Sequence, residues 1–293
     1  MSVLDRLVTS LEGIAHALSD NELVVPMYQR SYAWSKRHID ELFQDLATAM
    51  REGKEEYFLG SIVLTSQETR RLEVVDGQQR LATTSILLSA IRDYFQEQGD
   101  VDRATEIQSK FLFSKNLRTG ELNPRLRLNH VDHDFYAKRV LSLPGSSDRR
   151  IQETRESHHK IAAAADLAKR RVEMIAAMGN KPADQLLDWL EFVEQKAKII
   201  WVRVPDEVNA FTIFETLNDR GLDLAVSDLL KNYLFSLSSD RIAEVQARWL
   251  STVGILESVE SESLLVTYIR HLWASKQGLT RVECGRKTGV EGA

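Results

Sequence analysis

The stretch EVVDGQQRLATT, residues 73–84, decides the fold. Leu72, Val74 and Val75 form a short apolar, β-branched run that reads as a strand and breaks at Asp76-Gly77. A long helical pattern follows at once, with Leu81, Leu88, Ile91 and Phe95 recurring on one face. Asp76 is expected to be the N-cap of that helix, with Gln79 three residues on completing a capping box. Capping stabilises a helix by about 1 kcal/mol and needs neither Gly77 nor Arg80. Those two residues admit a second reading. A glycine in the first turn lets an external group approach the backbone. Free first-turn N–H groups and the helix dipole favour an anion there. Arg80, one turn in, adds a planar fork suited to phosphate oxygens, and Gln78 and Gln79 add neutral donors. Cap and phosphate cradle both fit the residues.

The pattern extends outward on both sides. Leu23 to Val25 reads as a short strand, Lys36 to Glu52 as a helix, and Tyr57 to Thr65 as a second strand. In that helix Ile39, Leu42, Phe43, Leu46 and Met50 recur at three- and four-residue intervals, and Ser35 precedes it as a candidate N-cap. The N-terminal segment through Asp20 reads as a short amphipathic helix. From about residue 100 helices dominate, including a long, polar, solvent-facing one between Arg150 and Met178. One strand, residues 197–204, interrupts them. Helices alternating with strands, then a run of helices, give an α+β class. Three regions are expected: a core over residues 1–98, a mainly helical region over 99–279 that completes the pocket, and a disordered tail over 280–293.

Composition narrows the function classes. A single cysteine, Cys284, leaves no intramolecular disulfide framework. No apolar run approaches the ~20 residues of a membrane span, and the N-terminus lacks the features of a signal peptide, so a cytoplasmic protein with no membrane partner is expected. The net charge of −5 means that any grip on nucleic-acid phosphates is local. The best candidate is residues 109–127, where Lys110, Lys115, Arg118, Arg125 and Arg127 face one acid, Glu121. A solvated loop explains that stretch as well as a nucleic-acid patch does.

Two further stretches carry chemistry. In VVPMYQRSYAW, residues 24–34, Tyr28, Tyr32 and Trp34 surround Gln29-Arg30. The aromatics either pack on the core or offer stacking faces to a base, and Arg30 is either a salt-bridge partner or a second phosphate ligand. In FETLNDRGLDLAVSDLLKN, residues 214–232, Asn218, Asp219, Arg220 and Gly221 form a polar loop. Gly221 suits a C-cap, while Asn218 and Arg220 have the reach to meet a ligand. His130 and His133 lack further identifiable metal ligands, and His158-His159 reads as solvated. No metal site is expected from protein ligands alone.

Tyr28 to Trp34 (Y-Q-R-x-Y-x-W), Tyr57 to Ile62 (Y-F-L-G-S-I), Val75 to Leu81 (V-D-G-Q-Q-R-L) and Phe214 to Leu224 (F-x-x-L-N-x-R-G-x-x-L), in this order, resemble the N-terminal domain of GmrSD-type, modification-dependent restriction proteins. That domain is similar to the ParB/sulfiredoxin-like superfamily, whose fold the resemblance implies: a small mixed sheet with helices. The resemblance covers roughly residues 5–275. It implies an NTP-binding and NTP-hydrolysing sensor module of an anti-phage restriction system acting on modified DNA, such as DNA with glucosylated bases or phosphorothioate links. The alternative is a non-enzymatic module in which nucleotide occupancy only switches DNA or partner binding. The implied cofactors are an NTP and Mg²⁺. Asp76 and Arg80 would be catalytic, with Asp76 orienting Mg²⁺ or water, and Gln29, Arg30, Gly77, Gln78, Gln79, Asn218 and Arg220 would bind nucleotide. Tyr28, Tyr32, Trp34, Lys115, Arg118 and Arg125 would meet DNA. Family members carry, or work with, a His-Asn-His-type nuclease domain. No such domain is recognised in the sequence, so DNA cleavage by this chain alone is not expected. The resemblance implies a nuclease domain or separate subunit as partner, or else a truncated or degenerate chain, and a homo-oligomer is a further expectation.

Overall fold

The computed structural model describes residues 8–27, 29–66, 71–178 and 180–204, and in addition Arg241, Glu244, Val245, Arg248, Trp249 and Thr252. The chain divides into two units, Met1–Arg220 and Gly221–Ala293. In the second, Glu244 pairs with both Arg241 and Arg248.

The first unit is built on one mixed sheet. In chain order its strands are β1 (Val8–Gly13), β2 (Leu23–Val24), β3 (Tyr57–Ser66), β4 (Leu72–Asp76), β7 (Leu126–Arg127) and β8 (Ala197–Val204). Their spatial order is β1-β8-β3-β4-β2-β7. β1–β8 and β3–β4 are antiparallel, whereas β8–β3, β4–β2 and β2–β7 are parallel. The architecture is α+β, as the alternation of patterns predicts. β7 and β8 come from beyond residue 98, so the sheet draws on chain segments far apart in sequence.

The N-terminal expectation is corrected here. Val8–Gly13 is an edge strand, and helix α1 covers only Ile14–Asp20. The strand owes its existence to a partner more than 180 residues away, Val8 lying opposite Arg203 and Gly13 opposite Lys198. Local periodicity carries no trace of that pairing.

Helix α2 (Lys36–Arg51) follows its sequence pattern. Ser35 is the N-cap, its N–H donating to His38 Nδ1 (3.2 Å), and Ile39, Leu42, Phe43 and Leu46 are buried. Helix α3 (Gln78–Glu97) is different, because it is buried on nearly every side. Its polar residues survive burial by bonding individually. Thr83 Oγ1 donates to Gln79 O (2.8 Å), Ser85 Oγ meets Tyr136 Oη (2.6 Å), and Ser89 Oγ donates to Val140 O (2.7 Å). Arg92, 0% exposed, binds Asp93 (2.7 Å) and the carbonyls of Val140, Leu141 and Ser142 at 3.0–3.2 Å.

The remaining helices wrap this axis. α4 (Val101–Ile107) runs on as a π-helical turn, Gln108–Leu112, into a separate hairpin of β5 (Phe113–Lys115) and β6 (Leu122–Pro124). The stretch read as basic loop or patch is thus a β-hairpin followed by β7. α5 (His133–Tyr136), α6 (Glu156–Ala176) and α7 (Pro182–Glu191) follow among the described residues of the unit. α6 starts six residues later than Arg150, and it is not merely solvent-facing: Ile161, Ala164, Ala168 and Val172 are buried. His158 is a core residue rather than a solvated one, stacked on Phe135 at 4.3 Å, while His159 pairs with Glu153 at the surface. No helix among the described residues is long and apolar enough to cross a membrane.

Candidate functional site

The junction between β4 and α3 is where sequence reading placed the chemistry. The helix opens one residue later than expected: Gly77 is the N-cap, with φ +89°, and no side chain caps it. Asp76 ends β4 instead, half-buried. The Asp76–Gln79 capping box is therefore not formed. Gly77 is required for two physical reasons. Its backbone lies in the left-handed region that disfavours side chains, and a Cβ there would lie 2.7 Å from Ile62 Cγ1. The first intrahelical bond runs from Leu81 N–H to Gly77 O (3.1 Å). By helix geometry the N–H groups of Gln78, Gln79 and Arg80 precede that ladder.

Arg80 and the Gly60 of β3 explain one another. Arg80 Nη1 donates to Ser61 O (2.8 Å), and a Cβ on Gly60 (φ +107°) would lie 3.2–3.3 Å from the guanidinium. The Y-F-L-G-S-I and D-G-Q-Q-R stretches thus meet at this contact. One of five guanidinium donors is used on Ser61.

Gln79 has a structural commitment. Its Oε1 accepts from Ala33 N–H (2.8 Å) and Trp34 N–H (3.4 Å), and its Nε2 donates to Ser31 O (3.3 Å). The amide holds the 31–34 turn against the helix. Gln29 plays a matching part, its Nε2 donating to Val75 O (2.8 Å) while Asn129 Nδ2 donates to Gln29 O (3.0 Å). Tyr32 is 4% exposed and its Oη meets Thr83 Oγ1 (2.7 Å), so it offers no open stacking face. Trp34 is half-buried against the core and stacks loosely on His38 (6.2 Å).

Beside the helix start lies a small cleft of about 10 Å³, room for about one water, lined by Arg30, Tyr32, Gln78, Gln79, Asn129 and Asp132 together with two apolar side chains. Gln78, Gln79 and Ala82 share the face of α3 that borders it. Arg80 is about half a turn round, facing β3. Asp132 anchors the cleft floor, accepting from Tyr32 N–H (2.7 Å) and Ser157 Oγ (2.5 Å). Burial pushes its carboxyl above the ordinary aspartate range, against the pull of those two bonds. Sequence reading missed Asn129 and Asp132. Their signal was the N-x-x-D spacing, in which Asn129 Oδ1 accepts from Asp132 N–H (3.1 Å) to fix a turn.

The structure therefore brings together Arg30, Gln78 and Gln79 at one cleft, with Gln29 bonded to the cleft residue Asn129 and Arg80 on the neighbouring face of the same helix start. Tyr28, Asn218 and Arg220 lie outside the described residues. Of the basic stretch, Lys110 pairs with Glu194 (2.7 Å), and Arg125 is partly buried near Asp20 and Glu22. Lys115 and Arg118 are exposed on the β5–β6 hairpin. Among the described residues no group of three His, Cys, Asp or Glu side chains could hold a metal ion.

A model described as the GmrSD restriction endonuclease, N-terminal domain, matches residues 14–235 of the 293. The chain belongs to that family. No match was found among curated proteins. Membership in the GmrSD family makes this a restriction-system module, and DNA the macromolecule such a system engages. The match spans β2 through β8, and with them the whole of the site described above.

Proposed function

We propose that this GmrSD-family domain binds a nucleoside triphosphate at the start of α3, hydrolyses it, and uses that cycle to report modified DNA to a nuclease. The observation that carries the reading is the helix start itself. A left-handed glycine opens a 20-residue helix directly off a strand, beside a polar cleft containing Arg30 and Gln78. First-turn N–H groups and the helix dipole at such a place stabilise phosphate. Arg30 lies on one side of the helix start and Arg80 on the other, so each has reach to a different part of a polyphosphate chain.

Mg²⁺ bound with a nucleotide uses one or two carboxylates plus phosphate oxygens and water rather than an all-protein cage. Asp76, half-buried at the end of β4 and adjacent to Gly77, fits that role without an acidic cluster. The ion would supply charge neutralisation on the phosphates. Asp76 would orient its water shell, and the first-turn amides would hold the phosphate oxygens. Lys115 and Arg118 are the exposed cations proposed for DNA contact.

The test is phosphate release from ATP, GTP, CTP and UTP with Mg²⁺, for wild type, Arg30→Ala and Arg80→Ala, with and without modified DNA. Turnover that falls in both variants and rises with modified DNA supports the reading. Binding without turnover would replace it with a nucleotide-switched, non-enzymatic module. No binding of any nucleotide would reduce Gly77 to Arg80 to packing residues.

A further inference from the structure

The β5–β6 hairpin is built in a way that core packing does not explain. Its base is locked to the main sheet. Glu22 Oε1 accepts from Ser114 Oγ (2.6 Å) while Glu22 Oε2 accepts from Arg71 Nε (3.2 Å). Leu23 N–H donates to Arg125 O (2.7 Å), and Arg125 N–H donates to Leu112 O (2.9 Å). Its tip is equally closed. Asn116 N–H donates to Glu121 O (2.9 Å), and Gly120 N–H donates to Asn116 O (2.8 Å). Asn116 Oδ1 accepts from the N–H groups of Arg118 (2.9 Å) and Thr119 (3.3 Å), and Thr119 Oγ1 donates to Glu121 (3.1 Å).

This braced tip holds out Leu117, 95% exposed, between Lys115 and Arg118. Neither cation has an ion-pair partner among the described residues, whereas Lys110, at the foot of the hairpin, is paired with Glu194. Leu122, opposite Lys115, is also exposed. A rigid ribbon with one apolar side chain at its apex and cations on either side matches the chemistry of a duplex. Phosphates take the cations, and an apolar wedge enters between base pairs whose stacking is opened. A flexible loop would lose more entropy on insertion, and a purely electrostatic contact would have no use for the leucine.

From this geometry we infer that the β5–β6 hairpin is a DNA wedge. Leu117 inserts at a base step, and Lys115 and Arg118 hold the flanking phosphates. The inference rests on the reading that this domain senses DNA, and it assigns the means: deformability of the duplex is probed along with its chemistry.

The experiment measures binding of the full chain to short duplexes carrying 2-aminopurine. The duplexes are unmodified, glucosylated on hydroxymethylcytosine, or phosphorothioate-linked. Wild type should bind and raise 2-aminopurine fluorescence, the sign of unstacking. Leu117→Ala removes a side chain with almost no contacts in the fold, so folding is preserved. It should weaken binding about 5- to 30-fold, abolish the fluorescence rise and leave the salt dependence unchanged. The double variant Lys115→Ala/Arg118→Ala should lower the slope of log affinity against log salt by about 2. Binding by wild type that is unchanged in Leu117→Ala, or that produces no fluorescence rise, overturns the wedge while leaving DNA sensing intact. No binding to any duplex overturns both.

Discussion

Replacing Gly77 with alanine tests how the helix start is built. At φ +89° an alanine pays the left-handed penalty of about 1–2 kcal/mol. The new Cβ would lie 2.7 Å from Ile62 Cγ1 and 3.3 Å from Ser61 O. Ile62 is fully buried, so it has little room to yield, and overpacking adds about 1–3 kcal/mol. The expected loss is about 2–5 kcal/mol, a large share of the roughly 5–15 kcal/mol that holds a typical domain. Gly99, just after α3, is the matched control: its φ is +78°, yet a Cβ there meets nothing within 4 Å. Gly99→Ala should cost only the backbone part, about 1–2 kcal/mol. Urea unfolding of both variants, followed by circular dichroism, gives the comparison. Equal losses would mean that the Ile62 contact does not constrain Gly77, and the packing argument for this turn would fail.

Other perturbations separate structural from chemical roles. Gln79→Ala should destabilise by about 1–3 kcal/mol by stranding the Ala33 N–H, and hydrogen exchange across residues 31–34 should speed up; unchanged exchange would remove the clamp. Arg92→Met should cost about 1–3 kcal/mol, as read by thermal unfolding, because the Leu141 carbonyl loses its donor while Asp93 and the Val140 and Ser142 carbonyls keep Arg149. Glu22 has its pKa held below the ordinary value chiefly by the Ser114 hydroxyl, with Arg71 assisting against desolvation. A depressed folded-state pKa gives stability that is present above the unfolded value and lost as pH falls through the folded one. The stability gap between wild type and Glu22→Gln should therefore be open at neutral pH and close in acid below the glutamate range. A gap independent of pH would contradict that linkage.

What the sequence made legible was mostly local. The α2 stripe and its Ser35 cap, the β4–α3 junction and β8 all came from periodicity, capping residues and β-branched runs. β1 was invisible because VTSLEG has no strong alternation and becomes a strand only through β8. His158 looked solvated because its neighbours in sequence are charged, whereas its neighbour in space is Phe135. The roles of the motif residues were only partly readable. D-G-Q-Q-R fitted a helix cap and a phosphate cradle alike, yet Gln79 braces the 31–34 turn and Arg80 lies over Gly60. A sequence shows which residue types gather at a helix start; it does not show which of them face the cleft. That is set by the 100° step between residues, which turns Gln78, Gln79 and Ala82 to the cleft and Arg80 towards β3.

The central claim is that the opening turn of α3 holds phosphate, and hydrogen exchange with and without nucleotide tests it most directly. Amides of Gln78, Gln79 and Arg80 precede the helical ladder, so a phosphate that accepts from them should slow their exchange. The account predicts that one of the four nucleoside triphosphates with Mg²⁺ protects this segment selectively, and that Arg30→Ala weakens the protection. Nucleotide binding that protects other segments and leaves residues 77–80 unchanged would contradict it.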